Sequence, residues 1–311
     1  MRRVMAILLA AGLVFCLSRG GSAQVTTPRH GWSPLPGAPN CPLFPPSNVW
    51  NQDVSRLPVA RDSARLIASV GLARGLHPDF GAQSDNGIPV AVVTSRQPRV
   101  HVSFDYADES DKGPYPIPPH PPIEAGGDAH VVLVDRDSCR LYELFAVQKT
   151  AGGWQAGSGA IWNLRSNALR PDTWTSADAA GLPILPGLAR YDEVARGLIN
   201  HALRFTAPRT RAAHLYPARH DAARGADPAL PPMGLRVRLK ASVSLAGFPP
   251  QARVVLAALK TYGMLLADNG SPWFITGAPD PHWNDDDLHT LQRITGVSLE
   301  VVDTSTLRNG R

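Results

Sequence analysis

Short runs of β-branched and aromatic residues, several alternating with polar ones, recur along the chain. Residues 90–94, 100–104, 130–135, 139–146, 235–241, 264–267, 273–276 and 299–302 read as strands. Three later segments carry helical signals. Segment 190–205 spaces Tyr191, Val194, Leu198, Ala202 and Phe205 at a helical period. Segment 251–262 follows Pro249-Pro250 and stops at Gly263, while 285–294 opens on acids and ends before Gly296. Strands come first and helices late, without regular βαβ alternation. The pattern predicts an α+β fold with a mainly antiparallel, sandwich-like sheet and about three helices in the C-terminal half.

The breaks in the pattern are as informative. Residues 1–23 have the order of a secretory signal peptide: Arg2 and Arg3, an apolar run from Val4 to Leu17, then Gly21-Ser22-Ala23. That run is too short for a membrane span, which needs roughly 20 apolar residues, and Phe15 is too large to precede a lipidated Cys16. A secreted or periplasmic protein cleaved near Ala23 follows, with no stable membrane insertion afterwards. Residues 24–47 read as a Pro/Gly-rich extended lead-in, 48–305 as a single globular domain, and 306–311 as a tail. Inside the domain, 109–128 crowds six prolines with Gly113, Gly126 and Gly127, which forbids a helix or central strand and predicts a long loop.

Two hairpins can be drawn. Asp268-Asn269-Gly270-Ser271 would join two apolar strands through an Asn-Gly turn. The other turns at Asp135-Arg136-Asp137-Ser138. Closing it through Arg136-Asp137 places His130 opposite Glu143, Val132 opposite Leu141 and Val134 opposite Cys139, on one face. His130 and Glu143 then stand together at the edge of an apolar stripe, where burial and mutual charge can tune either for proton transfer. Glu124 and Asp128 lie just upstream and bring further carboxylates to the same end. A second choice is the flank of the 190–205 helix, where Glu193, Gly197 and His201 recur every four residues. The plainer reading of either pair is structural: His130 and Glu143 satisfying one another in a partly buried sheet, and His201 a half-buried core histidine. Asp178 reads as a turn or capping residue.

Composition narrows the chemistry. The chain has 31 Lys+Arg against 26 Asp+Glu, a net charge of +5. Loss of the leader removes Arg2, Arg3 and Arg19, and arginine elsewhere is scattered, so nucleic acid is not the expected partner. Of three cysteines, Cys16 leaves with the leader, and Cys41 and Cys139 most simply pair in an oxidising compartment. No HExxH, CxxC, P-loop, G-x-G-x-x-G or G-x-S-x-G motif occurs, so no cofactor and no metal site is expected. All seven tryptophans lie beyond residue 23. Trp154, Trp174 and Trp283, in turn-like contexts, are the choices for stacking on sugar faces.

These readings converge on a hydrolase or lyase acting on an extracellular glycan or cell-envelope polymer, with Glu143 and His130 in proton transfer. The alternative is a non-catalytic envelope or carbohydrate-binding protein with a structural His–Glu pair. Segments 44–55, 106–118, 175–194, 231–242 and 267–283 together resemble a group of secreted bacterial proteins of unknown function. The resemblance implies that residues 44 to about 305 form one unit, and carries no activity.

Overall fold

The computed structural model describes residues 34–308; the leader reading over 1–23 lies outside them. In chain order the strands are β1 (His77–Asp79), β2 (Val90–Val93), β3 (Val102–Phe104), β4 (Val131–Asp135), β5 (Arg140–Phe145), β6 (Gln148–Thr150) and β7 (Gly153–Ala156). They continue as β8 (Ser158–Asn163), β9 (Leu203–Ala207), β10 (Arg236–Leu239), β11 (Met264–Asn269), β12 (Phe274–Thr276) and β13 (Leu299–Val301). Four α-helices accompany them: α1 (Ser63–Val70), α2 (Tyr191–Ala195), α3 (Pro250–Thr261) and α4 (Asp285–His289).

The strands form three sheets, ordered β1-β12-β9-β11-β10-β13, β2-β4-β5-β8 and β3-β7-β6. The fold is α+β and sandwich-like, with parallel pairs (β1–β12, β9–β11, β2–β4, β3–β7) mixed among the antiparallel ones. The four-stranded sheet is the middle layer. Val132, Val134, Leu141 and Trp162 on one face join the main core with the six-stranded sheet, and Val131, Leu133, Tyr142 and Leu144 on the other join a second core. Burial on both sides is why β4 reads as a continuous apolar run. The second core is closed by β3, β7 and two residues of the proline-rich segment, Tyr115 and Ile117, both buried.

The β4–β5 hairpin forms, but its register differs from the expected one by two residues. Val132, not His130, pairs with Glu143, and Asp135 pairs with Arg140. The Asp135 carboxylate accepts the Asp137 and Ser138 amides, and Cys139 takes a positive φ of 51°, so the loop runs 136–139. A shift of two leaves every side chain on its predicted face. It does carry His130 beyond the paired end of β4. Cys139 bonds to Cys41 across 98 residues, tying the lead-in to this turn. That segment is more than an extended arm: Leu35, Ala38, Cys41, Leu43 and Phe44 are buried in the main core.

Two further expectations are corrected. The 190–205 helix ends after Ala195, because Gly197 turns the chain with φ 77°, and Leu203–Ala207 emerges as β9. Likewise, β11 and β12 are not a hairpin: β9 lies between them, parallel to β11 and antiparallel to β12. The Asn269-Gly270 connection instead crosses the end of β9, with the Gly270 amide donating to Ala207 O and the Trp273 amide to Thr206 O. The 251–262 and 285–294 helices match α3 and the α4 segment, the latter continuing as a 3-10 turn through Arg293.

Candidate functional site

A cleft of about 550 Å³ opens where the end of the four-stranded sheet meets the C-terminal end of β11. Asp128, Phe145 and Ser158 line it from the first, and Asp268 and Asn269 from the second. The turn 175–179 forms its floor, Tyr106 and Glu109 one wall, and 220–224 the other. Its volume is in the range of ligand sites.

A bulge positions Asp268. In the parallel β9–β11 pair Leu265 faces Arg204, but the register then slips so that Asp268, rather than Ala267, faces Thr206. This turns the Asp268 carboxyl to the side that carries Arg204. The extruded Ala267 offers its carbonyl to the Ala180 amide at 2.9 Å and so docks the floor turn on the strand.

That turn delivers Asp178, which is fully buried yet borders the cleft. Arg204 grips both its oxygens, Nη2 to Oδ1 at 2.7 Å and Nε to Oδ2 at 3.1 Å, and donates from Nη1 to Thr276 Oγ1. Asp268 sits beside this pair. Burial and the neighbouring Asp178 charge push its carboxyl up to about 7 against the pull of Arg204. Among the described residues its one hydrogen bond comes from the Asn269 amide.

His220 completes the wall. Its Nδ1 lies 2.7 Å from Ala179 O, an acceptor only, so Nδ1 carries a proton, and Nε2 lies 3.8 Å from Glu109 Oε2. Glu109 is held by the Thr175 amide at 2.9 Å. Asp128 is exposed, its backbone fixed where Ala146 N donates to Asp128 O.

The residues singled out from sequence fall in different places. His130 and Glu143 are not partners. His130 is buried; its Nδ1 meets Glu124 Oε2 at 2.5 Å and its Nε2 lies 2.9 Å from Ala177 O. Burial disfavours the imidazolium, but the Glu124 carboxylate outweighs it and raises His130, while Glu124 is held low in return. Both ring nitrogens thus donate, and His130 braces the floor turn from beneath the cleft. Glu143 is fully buried in the main core. It accepts the Ile184 and Leu185 amides and Trp162 Nε1–H, and burial pushes its carboxyl up to about 7. It caps the 3-10 turn at Leu185–Gly187 and does not border the cleft.

Glu193 and His201 do meet, at 3.0 Å, but across the turn after α2 and wholly buried. Trp283 is a core residue against Phe80 and Tyr191; Trp174 lies under the Arg170 guanidinium and Trp154 under Lys149. None of the three lines the cleft, whereas Asp128 does and Glu124 stands behind it. Sequence alone gave no site role to Arg204 or His220, and it assigned Asp178 and Asp268 to turns. One of them left a signal: Arg204 is a charge between the apolar Leu203 and Phe205, where an unexplained charge marks a paired or functional group.

Among the described residues no group of three or more His, Cys, Asp or Glu side chains is placed to hold a metal ion. No helix among them is long and apolar enough to cross a membrane. No protein-family model matches the chain, and neither a curated protein nor a solved structure matches it.

Proposed function

We propose that this is a secreted hydrolase that cleaves glycosidic bonds of an extracellular polymer in the cleft, with Asp268 as proton donor. The observation that carries the reading is the poise of Asp268. A carboxyl held near 7 at the edge of an open concavity is about half protonated at neutral pH, far more than an ordinary aspartate, and can release that proton to a departing group. Export rests on the leader pattern and the Cys41–Cys139 bond, which suits an oxidising compartment.

In the reaction Asp268 protonates the departing glycosidic oxygen as the bond from the anomeric carbon to that oxygen breaks. Water attacks the same carbon and gives its proton to His220 Nε2, whose tautomer Ala179 O fixes. Both groups return to their starting states by exchange with solvent. Asp178 and Arg204 neutralise one another and hold the floor beneath the reacting carbon. His130 and Glu124 act through Ala177 and touch no substrate.

The test is release of reducing ends from a panel of polysaccharides. Wild type is expected to cleave at least one, and Asp268→Asn to lose at least 100-fold, as removal of a general acid typically does. Equal turnover by wild type and Asp268→Asn would overturn the assignment. So would a panel-wide absence of turnover, which leaves a glycan-binding protein.

A further inference from the structure

We propose that Glu124 and His130 form a pH-dependent latch that fastens the proline-rich segment to the floor of the cleft. Among the described residues, the hydrogen bonds of residues 118–127 all converge on His130. The Glu124 amide donates to His130 O at 2.9 Å, and Glu124 Oε2 meets both the His130 amide and the ring Nδ1. The neighbouring fixed points are Ile117 O, which accepts from Gln97, and Asp128 O, which accepts from the Ala146 amide. Between them Pro118, Pro119, Pro121 and Pro122 have no amide to donate, and a Cβ added at Gly126 or Gly127 would meet nothing within 4 Å. Glu124 therefore carries the attachment.

The other ring nitrogen continues the connection. Nε2 lies 2.9 Å from the carbonyl of Ala177, the residue before Asp178 in the floor turn. A carboxylate and a carbonyl are both acceptors, so the linkage needs a proton at each ring nitrogen. Loss of either proton sets lone pair against lone pair in a buried site, and that joint parts. Opening separates the proline-rich segment from the turn that holds Asp178 against Arg204. The floor is then tight in mildly acidic surroundings and loose in alkaline ones.

The surrounding charges set the window. Burial works against the imidazolium, but the Glu124 carboxylate outweighs it. Asp178 of the floor turn and Asp268 of β11 support the charged ring, while Arg204 of β9 opposes it and favours ionised Glu124. Asp79, at the end of β1, lies in the field of Glu124 and Asp128. His130 is thereby raised above its ordinary 6.5 and Glu124 held below its ordinary 4.5. The latch is fully shut between those two ordinary values. It weakens as pH rises through the raised His130 value, or falls through the lowered Glu124 value.

The latch belongs to the protein itself, so its test needs no substrate and is independent of the hydrolase reading. Heteronuclear NMR of the wild-type protein would count the ring N–H groups of His130 through a pH titration. Hydrogen exchange of the Glu124 and His130 amides, corrected for the intrinsic rate, would be followed in the same samples. Most molecules are expected to carry two ring N–H groups at pH 6.5. Amide protection is expected to fall at least about tenfold as the ring loses one, the scale of a charge-assisted hydrogen bond. Glu124→Gln can hold a neutral ring, its side-chain N–H donating to Nδ1 while Nε2–H donates to Ala177 O. Its protection is therefore expected to stay level across the same pH range. A mostly neutral wild-type ring at pH 6.5, or a ring that keeps both protons until the whole protein unfolds, would overturn the inference. So would protection that ignores the ring's titration, or a Glu124→Gln variant that shows the wild-type fall. Should that variant fail to fold, the wild-type titration decides alone.

Discussion

At the scale of single residues, the same type of side chain serves opposite ends. Glu143 and Asp268 are both carboxyls pushed up to about 7 by burial, but only Asp268 borders open space. Glu143 spends its oxygens on three N–H donors inside the core. Glutamine offers one acceptor oxygen there and an amide that no donor wants. Glu143→Gln is therefore expected to cost about 1–3 kcal/mol in chemical denaturation. The wild type also has a pH signature. A carboxyl whose folded value lies above its unfolded 4.5 holds extra protons in the native state, so stability falls as pH rises from 4.5 towards 7. Part of that slope should vanish in Glu143→Gln. An unchanged slope, with unchanged stability, would mean that Glu143 is neither buried nor bonded as described.

What the sequence made legible at this scale was the company of residues more than their roles. The alternation of 130–135 and 139–146 assigns Val132, Val134, Leu141 and Glu143 to one face, and that assignment survives. Register does not survive, because a two-residue shift preserves every face and hydrophobic pattern alone cannot see it. It was decided by Asp135 capping the turn and by Cys139 adopting a positive φ. The candidate site was less legible still. Asp178, Arg204, His220 and Asp268 are brought together by sheet order and a bulge, both long-range facts. Glu124 and Asp128 were found because they neighbour a predicted strand end.

At the scale of elements, all eight predicted strands exist within a residue or two of their bounds or inside them. The five missed ones, β1 and β6 to β9, are short or rich in glycine and polar residues, or hidden in a helical period. The 190–205 segment shows why periodicity misleads. Its apolar spacing is real, but Gly197 takes a left-handed conformation, and β9 is then claimed by β11 and β12. Strand β10 shows the converse, polar residues stitching distant elements. Arg236 and Arg238 alternate along it and reach back to the carbonyls of Val49, Gln52, Val54 and Leu57. Among the described residues buried Arg236 has only carbonyl partners, Tyr262 O among them, and burial lowers it to about 9. Arg236→Met fills the space but leaves those carbonyls without donors. It should cost at least about 2 kcal/mol in urea denaturation. A neutral outcome would show that the 49–57 segment does not depend on this strand.

At the scale of the molecule, the middle sheet separates two cores, and the cleft lies at its end where the layers meet. The Cys41–Cys139 bond links the first described segment to the far end of that sheet, at the β4–β5 turn. A closed loop of this length is worth up to roughly 4–5 kcal/mol in the chain-entropy model. The double variant Cys41→Ala/Cys139→Ala should unfold at a clearly lower temperature while the isolated cleft chemistry, remote from the turn, is retained at low temperature. Equal unfolding temperatures would show that core burial of Leu35, Leu43 and Phe44 fixes the segment without the bond.

The pH dependence of kcat/KM on the polymer that proves to be cleaved shows whether Asp268 is the proton donor. The rate is expected to fall about tenfold per pH unit above about 7, as Asp268 gives up its proton, and that limb is expected to be lost in Asp268→Asn. A wild-type profile that stays flat well above pH 7, or a falling limb that persists in Asp268→Asn, would contradict that role.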